Sequence, residues 1–324
     1  MHRILVTGAA GQIGSELTLA LRKTYGYDNV VALAHVTKPS KELLESGPCD
    51  FCDCRETERT AEIVNGFKVD TIYHLASLLS AAGEIDPQQA WDVNMKGLFN
   101  VLEAAREYKC AVFYPSSIAA FSPTAPKEKT PQVTLQRPST IYGITKVAGE
   151  LLCEYYFKRF GVDTRGVRYP GLISHKTLPG GGTTDYAVQI YYEALRREKY
   201  TCYLKPGTYL DMMYMPDAIK AAIQLMEAEP SQLKYRNAYN ITAMSLAPEI
   251  ISAQIQKEIP SFKMDYEIDP LRQAIADSWP NSMDDSAARQ DWNWKPDYNL
   301  ESMTKDMIDK LSLKLLGRRG ERIA

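Results

Sequence analysis

The chain has 324 residues, of which 45% are hydrophobic and 24% are charged, and its formal net charge at pH 7 is −2. This size and apolar content suit a full hydrophobic core in one large domain or two closely joined domains. The nearly balanced charge argues against nucleic acid as a partner, and no run approaches the roughly 20 apolar residues that cross a bilayer. We interpret the one basic cluster, at Arg318, Arg319 and Arg322, as a solvated tail.

Three of the six cysteines, Cys49, Cys52 and Cys54, form the only cysteine cluster. They lack a fourth ligand at the spacing of a zinc site, so we predict free thiols and no metal. Because a strand pattern begins at residues 3–6, we expect no signal or transit peptide. We therefore expect a cytoplasmic protein, or a protein of the mitochondrial matrix if the source is eukaryotic.

The first half of the chain alternates short β-rich runs with amphipathic segments. Strands are predicted at Ile4–Thr7, Val30–Leu33, Asp50–Cys52, Thr71–Leu75, Val112–Ser116 and Thr164–Tyr169. The amphipathic segments between them include Gln12–Lys23, Gln88–Tyr108 and Thr145–Phe160. Strands separated by helices predict an α/β fold with a Rossmann-type doubly wound parallel sheet, in which ligands bind beyond the carboxyl ends of the strands.

The second half is less regular and begins with a loop rich in Gly, Pro and Thr at residues 179–184. We predict a dinucleotide-binding domain over residues 1–170. Residues 171–324 are then mainly a smaller C-terminal substrate lobe, with segments that return to the main sheet.

Three glycines, Gly8, Gly11 and Gly14, follow the first predicted strand and open the first predicted helix. One glycine permits the tight turn, one lets a pyrophosphate approach the backbone, and one lets the helix pack on the strand. The helix N-terminus adds free N–H groups and a partial positive charge. We predict that Gly8, Gly11, Gln12, Ile13 and Gly14 bind a dinucleotide, the alternative being a tight turn without a ligand. The spacing is similar to that of the short-chain dehydrogenase/reductase superfamily.

The end of the second predicted strand leaves the choice between NAD and NADP open. NAD enzymes usually carry an acidic residue there, whereas this strand ends in Ala34 and His35. His35, Lys38 and Lys41 are candidates to accept a 2′-phosphate. Asp53, after the third strand, is a candidate to hydrogen-bond the adenine amino group, with a strand-end or helix-cap role as the alternative.

Tyr142 and Lys146 are four residues apart, which places both side chains on one face of a helix. A free phenol titrates near pH ~10, and a neighbouring ammonium favours the phenolate and lowers that value. The pair therefore predicts a general base that is usable near neutral pH. Among the 20 tyrosines, only Tyr142 has Lys at the fourth following position; an ordinary exposed helix pair is the alternative.

Two serines, Ser116 and Ser117, end the fifth predicted strand, 26 and 25 residues before Tyr142. A hydroxyl at this place can hydrogen-bond a substrate alcohol and polarise the carbonyl that forms. We select Ser117 for this role; a strand-end turn serine is the alternative.

Together these residues resemble the extended short-chain dehydrogenases. The resemblance assigns Ser117, Tyr142 and Lys146 to the family's catalytic triad and Asn94 to its helix asparagine, which supports a backbone–water relay to the lysine. It places the stretch from His74 to Ser77 along the cofactor's ribose and phosphates, although we interpret His74 itself as structural. The cofactor contacts that it implies beyond the glycine turn are Asp53, Cys54, Leu75, Ala76, Asn94, Tyr142, Lys146, Pro170 and Leu172.

More narrowly, the chain resembles the short-chain-type L-threonine 3-dehydrogenases. The stretches that carry this resemblance are Gly8–Gly14, Tyr114–Phe121, Arg168–Gly171, Gly182–Ala187, Met212–Ala218, Ser278–Pro280 and Asp291–Trp292. The resemblance implies NAD as the cofactor, although the family pattern has Asp where this chain has Ala34. It also implies that Thr183 and Asp185 lie near the bound amino acid, with Ser80 on the opposite wall; ordinary helix capping is the alternative for Thr183 and Asp185.

The resemblance further implies the reaction. Tyr142, as phenolate, would take the hydroxyl proton of L-threonine while hydride leaves Cβ, giving 2-amino-3-oxobutanoate. Lys146 would stabilise the phenolate and hold the ribose, and Ser117 would position the alcohol. The glycines at 180–182 would serve as a hinge for a closing lobe.

Two other functions remain open. A nucleotide-sugar epimerase or dehydratase shares the triad, but such enzymes typically carry Asn where this chain has Gly171. A non-catalytic dinucleotide-sensing protein usually loses the Tyr or the Lys. We also expect a homodimer formed by the segments Gln88–Tyr108 and Thr145–Phe160, with Val93, Leu98, Val101 and Leu102 on the shared face; the alternative is that this face covers its own sheet.

Overall fold

The structure of the protein is a computed structural model that describes residues 1–177, 180 and 182–320. Its strands are β1 (Ile4–Thr7), β2 (Val30–Ala34), β3 (Cys49–Phe51), β4 (Thr71–His74), β5 (Ala111–Ser117), β6 (Thr164–Tyr169), β7 (Gly171–Ile173), β8 (Lys199–Cys202), β9 (Leu210–Tyr214), β10 (Tyr239–Asn240), β11 (Met244–Leu246) and β12 (Lys263–Tyr266).

Its α-helices are α1 (Gln12–Tyr25), α2 (Lys41–Glu45), α3 (Thr57–Gly66), α4 (Ser80–Ile85), α5 (Pro87–Trp91), α6 (Gly97–Tyr108), α7 (Ile141–Phe160), α8 (Tyr186–Arg197), α9 (Met215–Glu227), α10 (Pro248–Glu258), α11 (Pro270–Ser278), α12 (Ser286–Trp292) and α13 (Leu300–Gly320). Short 3₁₀ helices lie at Tyr27–Asn29, Ile118–Ala120, Thr183–Asp185 and Pro230–Gln232, and a π-helical turn lies at Asp92–Lys96.

The main sheet has seven parallel strands in the order β10-β6-β5-β4-β1-β2-β3. The strand order reverses at β1, as in a doubly wound fold, and the predicted fold class is confirmed. All six predicted strands are present; the third begins at Cys49, one residue earlier than predicted. Central strands such as β1 are buried along their whole length because helices cover both faces of the sheet.

A smaller layer of structure follows β6 in the chain. β7, β9 and β11 form a three-stranded sheet, and β8 pairs with β12. Helices α8, α10 and α13 pack around these strands and share one hydrophobic core with them.

Two elements beyond residue 170 join the main sheet or pack on it. β10 forms its outer strand by pairing with β6 through Tyr239 and Asn240, and α9 packs against β6 and α1. The division at residue 170 therefore separates the two parts of the sequence without separating two independent sheets, and the assignment of the second part to the substrate stays a prediction.

The helices expected to form a dimer interface have a different outward face from the one predicted. Leu98, Val101 and Leu102 are fully buried in the core between the sheet and its helices, so their assignment to a shared face is wrong. Amphipathic periodicity identifies an apolar face but not what covers it. The apolar side chains that point outward on these helices are instead Phe99 on α6 and Leu151 on α7.

The structure also bears on the ends and loops singled out in the sequence. Gly181 of the proposed hinge and Pro179 just before the hinge lie outside the described residues, as does Arg322 of the basic tail. In the described part of the chain, no helix combines the length and apolar character needed to cross a membrane.

Candidate active site

The turn between β1 and α1 brings two backbone segments unusually close together. Gly8 has φ +66°, and a Cβ there would lie 2.7 Å from the backbone nitrogen of Ala76. A Cβ on Gly14 would lie 2.2 Å from the carbonyl oxygen of Gly8. Gly11 precedes the first residue of α1 without a side-chain cap, so the first amides of this helix are left for an anionic ligand. These features fit the pyrophosphate of a dinucleotide.

A cavity of about 470 Å³ lies beside this turn, at the carboxyl ends of β1, β2 and β4. The residues predicted to bind a cofactor that line it are Gly8, Gly11, Asp53, Cys54, Leu75 and Ala76. Its far wall is formed by Ala34, His35, Val36 and Thr37. The position and lining match the adenosine half of a dinucleotide.

Asp53 is held by cationic neighbours at the edge of this cavity. Arg55 donates to Asp53 through Nε at 2.9 Å and Nη2 at 2.6 Å, and its Nη1 reaches Asp92 at 2.7 Å. The hydrogen bonds from Arg55 hold the pKa of Asp53 below its ordinary value. His35 Nε2 lies 3.3 Å from the same carboxylate. Asp53 is therefore a fixed negative acceptor, and Arg55, which sequence reasoning did not select, orients it.

The candidate 2′-phosphate contacts are placed differently from one another. His35 lines the cavity and faces Asp53. Lys41 is directed elsewhere, since its ammonium lies 3.6 Å from Glu45 along α2. Ala34 is buried at the end of β2, where its carbonyl accepts from the amide of Cys52 at 3.0 Å.

A second cavity, of about 140 Å³, adjoins the first, and Leu75 and Ser77 line both. It gathers the predicted residues Gln12, Ile13, Ser80, Ser117, Tyr142, Lys146, Pro170, Leu172, Thr183 and Asp185 from six separate segments of the chain. Of the residues predicted to touch ligands, Gly14 and Asn94 line neither cavity, nor do the 2′-phosphate candidates Lys38 and Lys41; Gly14 serves the close packing of α1 on β1.

Tyr142 and Lys146, called the reacting pair below, lie at the start of α7. The helix begins at Ile141, and the Thr140 hydroxyl accepts from the Gly143 amide at 3.1 Å, which fixes the first turn. Lys146 Nζ donates to the carbonyl oxygen of Pro115 at 2.8 Å and lies 5.3 Å from the centre of the Tyr142 ring.

Ser117 ends β5 opposite the reacting pair. Its hydroxyl accepts from the amide of Ala119 at 3.2 Å, and it lies near enough to the phenol of Tyr142 to lower the pKa of that group. The alternative of a turn serine is therefore present in the geometry, but the same hydroxyl also lies near the candidate base.

Burial acts on both members of the reacting pair. It raises the pKa of Tyr142 to about 12, a change that the nearby Ser117 hydroxyl opposes. It lowers the pKa of Lys146 to about 8. Each shift disfavours a lone charge, whereas a phenolate beside an ammonium compensates both charges. The site can thus exchange a proton near neutral pH as a coupled pair.

Asn94 supports this arrangement from the π-helical turn. Its side chain accepts from the amide of Leu78 at 2.7 Å and donates to the hydroxyl of Thr145 at 3.1 Å. π-helical turns occur frequently at functional sites. The contact of Asn94 with α7 is through Thr145, the residue before Lys146. Asn94 thereby joins three elements: the π-helical turn, the segment that follows β4, and α7.

The predicted substrate wall comes from the 3₁₀ helix at Thr183–Asp185. The carboxylate of Asp185 accepts from the amide of Gly182 at 2.8 Å, so the capping role exists alongside its place in the cavity. The Thr183 hydroxyl and the indole N–H of Trp279 are buried and have no hydrogen-bond partner among the described residues. Both residues line the cavity.

Trp279 is a site residue that sequence reasoning missed. Ser278–Pro280 contributed to the family resemblance, but nothing local to it indicated a ligand. The tryptophan follows α11, more than 130 residues after the reacting pair, and only the fold brings it to the cavity.

His74 has the structural role expected of it. It is 1% exposed, its Nδ1 lies 2.8 Å from the Thr7 hydroxyl, and burial lowers its pKa to about 3. A neutral imidazole therefore joins β4 to β1. All six cysteines are free thiols, and no group of three or more His, Cys, Asp or Glu side chains in the described residues could hold a metal ion.

Comparison with known proteins gives a consistent family. The profile of the NAD dependent epimerase/dehydratase family matches residues 4–242. An uncharacterized epimerase/dehydratase of Staphylococcus saprophyticus is 55% identical over 315 residues, covering 97% of this chain and 98% of the relative.

Two solved structures are similar along nearly the whole chain. L-threonine dehydrogenase of Clostridium difficile is 57% identical, with a TM-score of 0.94 over 97% of this chain and 98% of that one. A monomeric L-threonine 3-dehydrogenase from a metagenome is 47% identical, with a TM-score of 0.89 over 96% and 99%. The chain therefore belongs to the NAD-dependent epimerase/dehydratase family, resembles the L-threonine dehydrogenases within it, and uses NAD as its cofactor.

Proposed function

We propose that the protein oxidises L-threonine at Cβ to 2-amino-3-oxobutanoate with NAD, and that Tyr142 is the general base. The observation that carries this proposal is the convergence of Ser117, Tyr142 and Lys146 on one cavity that adjoins the dinucleotide cleft. When bound, NAD supplies a nicotinamide ring that accepts a hydride.

In this proposal Ser117, Tyr142 and Lys146 each have a separate role in the oxidation of the substrate alcohol. Ser117 hydrogen-bonds the substrate hydroxyl and orients it toward the phenolate of Tyr142. Tyr142 takes the hydroxyl proton as the C–H bond at Cβ breaks. The ammonium of Lys146 stabilises the phenolate before the transfer, and its bond to the Pro115 carbonyl fixes where that charge stands.

The opposite wall is proposed to recognise the amino acid. L-threonine carries an ammonium and a carboxylate, and each needs partners when it is removed from water. The carboxylate of Asp185 is the candidate partner for the ammonium. The Thr183 hydroxyl and the Trp279 indole N–H are candidate donors to the carboxylate, because neither has a partner among the described residues. Ser80, 4% exposed at the start of α4, faces these residues from the other side of the cavity.

One packing detail favours this function over a nucleotide-sugar epimerase or dehydratase. Those enzymes typically carry an Asn that contacts the sugar-nucleotide phosphates where this chain has Gly171. A Cβ at Gly171 would lie 2.5 Å from the Met212 sulfur and 2.7 Å from Thr184 Cγ2. The backbone is thus packed against two side chains, and an Asn at this position would have to displace them.

A non-catalytic sensor of dinucleotide is also disfavoured. The triad is complete, and burial displaces the pKa values of both Tyr142 and Lys146 from their ordinary values. Perturbed titrating groups in a cleft are typical of catalytic sites. A protein that only binds the cofactor has no need of a coupled proton acceptor.

The experiment that tests the proposal follows absorbance of the reduced cofactor with L-threonine and either NAD or NADP. L-serine and UDP-sugars serve as competing substrates, and Tyr142→Phe is the variant. We expect the natural protein to reduce NAD when L-threonine is present. Tyr142→Phe should lower the rate of this reaction ~10³-fold or more, although the variant still binds NAD. No reduction with L-threonine under either cofactor, from protein that binds NAD, would refute the substrate.

A further inference from the structure

A buried ion pair, Arg168 with Glu150, lies one turn of α7 beyond Lys146 and lines neither cavity. Arg168 is 2% exposed and Glu150 is 1% exposed. Arg168 donates to the carboxylate through Nε at 2.9 Å and Nη2 at 2.7 Å. An ion pair that is removed from water contributes little net stability compared with apolar side chains of the same size. Stability alone therefore does not account for an ion pair this close to the reacting pair.

The contacts of Glu150 connect it to the catalytic strand. Glu150 stands four residues after Lys146, on the same face of α7. Its carboxylate accepts a hydrogen bond from the hydroxyl of Ser116. Ser116 lies between Pro115, whose carbonyl binds Lys146, and Ser117, which lies near the phenol. Two successive turns of α7 are thus tied to successive residues of β5.

The contacts of Arg168 connect the ion pair to β10, the outer strand of the main sheet. Ser116 and Arg168 are directly paired in the register of β5 with β6. Arg168 Nη1 also donates to the carbonyl of Gln132 at 2.8 Å and to the side-chain oxygen of Asn240 in β10 at 2.9 Å. The guanidinium is therefore held by acceptors from the 132 segment and β10 in addition to α7.

We infer that Glu150 and Arg168 are positioning residues for the proposed reaction, holding β5 and α7 in register and setting the charge that the reacting pair experiences. The inference rests on the proposed roles of Tyr142 and Lys146. In the intact pair the Glu150 carboxylate favours the Lys146 ammonium, and the Arg168 guanidinium offsets part of that charge. Removal of either one leaves the other uncompensated in a medium of low dielectric.

Other titratable groups face the reacting pair from the surrounding elements. His74 from β4 is neutral because burial lowers its pKa to about 3. Tyr114 from β5 and Cys153 from α7 are neutral because burial raises their pKa values well above the ordinary range. Asp185 approaches from the 3₁₀ helix across the cavity. Glu150 is consequently a charged group that acts on Lys146 from within the same helix, and Arg168 of β6 is bound to it.

The ion pair predicts shifts of opposite sign for its two members. Glu150→Gln adds net positive charge near Lys146, which disfavours the ammonium and lowers the pKa of Lys146. Arg168→Met adds net negative charge and raises it, while Ser116, Gln136 and Asn237 remain as donors to the carboxylate. The double variant restores neutrality. A purely structural role for the pair gives no reason for opposite signs.

The test measures the titration of Lys146 by NMR of protein labelled at the lysine side chains, with the signal assigned by Lys146→Met. We expect the midpoint to move down by about half a pH unit or more in Glu150→Gln, up by a similar amount in Arg168→Met, and to return near its starting value in the double variant. The readout does not require turnover, so failure of the L-threonine assay and failure of this inference remain distinguishable.

A matched control lies on the same strand. Arg165 is 5% exposed, pairs with Asp163 at 2.7 Å and binds three backbone carbonyls at the other end of β6. Arg165→Met should lose stability without moving the Lys146 midpoint. Equal shifts of the same sign in both ion-pair variants, or shifts no larger than that of Arg165→Met, would overturn the inference.

A milder substitution separates positioning from charge and keeps the test decisive if Arg168→Met does not fold. Ser116→Ala removes the bond to Glu150 without changing any charge. We expect it to lower kcat about tenfold with the Lys146 midpoint unchanged, whereas Glu150→Gln alters both. An unchanged midpoint in Glu150→Gln, or an unchanged kcat in Ser116→Ala, would contradict the inference.

Discussion

The ammonium of Lys146 donates a hydrogen bond to the carbonyl oxygen of Pro115, 2.8 Å away, two residues before the serine that lies near Tyr142. This single contact fixes the positive charge between β5 and α7. Because the ammonium is 5.3 Å from the centre of the Tyr142 ring, it favours the phenolate by direct attraction.

The pH dependence of oxidation should report this attraction. Only the phenolate accepts a proton, so the rate must rise with pH as the reacting pair loses its first proton. Burial lowers the pKa of Lys146 to about 8 and raises the pKa of Tyr142 to about 12. We expect the rising limb of the plot of kcat/KM against pH to have its midpoint near pH 8 in the natural protein. In Lys146→Met the midpoint of this limb should move upward by two pH units or more. An unmoved limb in this variant would contradict the assignment.

The indole N–H of Trp279 should affect substrate affinity more than chemistry. Trp279→Phe keeps the aromatic wall and removes the donor. Since a hydrogen bond to a charged group contributes ~1.5–3 kcal/mol, we expect KM for L-threonine to rise about tenfold or more while kcat stays within about twofold. Trp294→Phe is the matched control, because Trp294 is also a buried indole without a partner among the described residues but lies in the core beneath α9. If Trp279→Phe and Trp294→Phe had the same KM for L-threonine, Trp279 would not be a contact of the substrate.

The glycine turn should fail when a single methyl group is added. Gly14→Ala places its Cβ against the backbone of Gly8 and Ala9, where no side chain can move aside. We expect the free energy of unfolding to fall by ~1–3 kcal/mol and NAD affinity to fall as well. Gly66→Ala, whose added Cβ meets nothing within 4 Å at the end of α3, should leave both unchanged or slightly improve stability. Chemical denaturation and calorimetric titration with NAD measure the two effects.

The proposed homodimer would use the outward side chains of α6 and α7. Leu151 is 58% exposed, and Phe99 and Tyr155 are exposed on the same two helices. Apolar groups on adjacent helices suit a four-helix contact between two copies. We expect Leu151→Glu to convert a dimer into a monomer in light scattering, whereas Leu313→Glu on α13 leaves the dimer intact. A natural protein that is already monomeric would end the proposal, in keeping with the monomeric relative that has the same fold.

Much of the fold could be predicted because its signals are local. The predicted strands and the glycine turn depend on neighbours within a few residues, and Tyr142 with Lys146 depends on one helical turn. Their common location follows from the rule that carboxyl ends of parallel strands meet at one edge of the sheet.

The errors and omissions have a different origin. The apolar stripe through Leu98 and Val101 was assigned to a partner although it covers its own sheet, because periodicity carries no information about what a face packs against. Arg55 and Trp279 were overlooked because each acquires its role from a distant contact or from the fold. Sequence spacing alone could not connect Ser116 with Glu150 or Arg168 either.

The return of β10 to the main sheet has a consequence for how the molecule is made. During synthesis, β6 emerges with one unpaired edge and keeps it until Tyr239 and Asn240 arrive some seventy residues later. A fragment ending at residue 170 would display that edge permanently, and an open strand edge is a template for aggregation. The cofactor-binding half is therefore not a portable module. Any attempt to graft it onto another protein has to carry the strand at 239–240 with it.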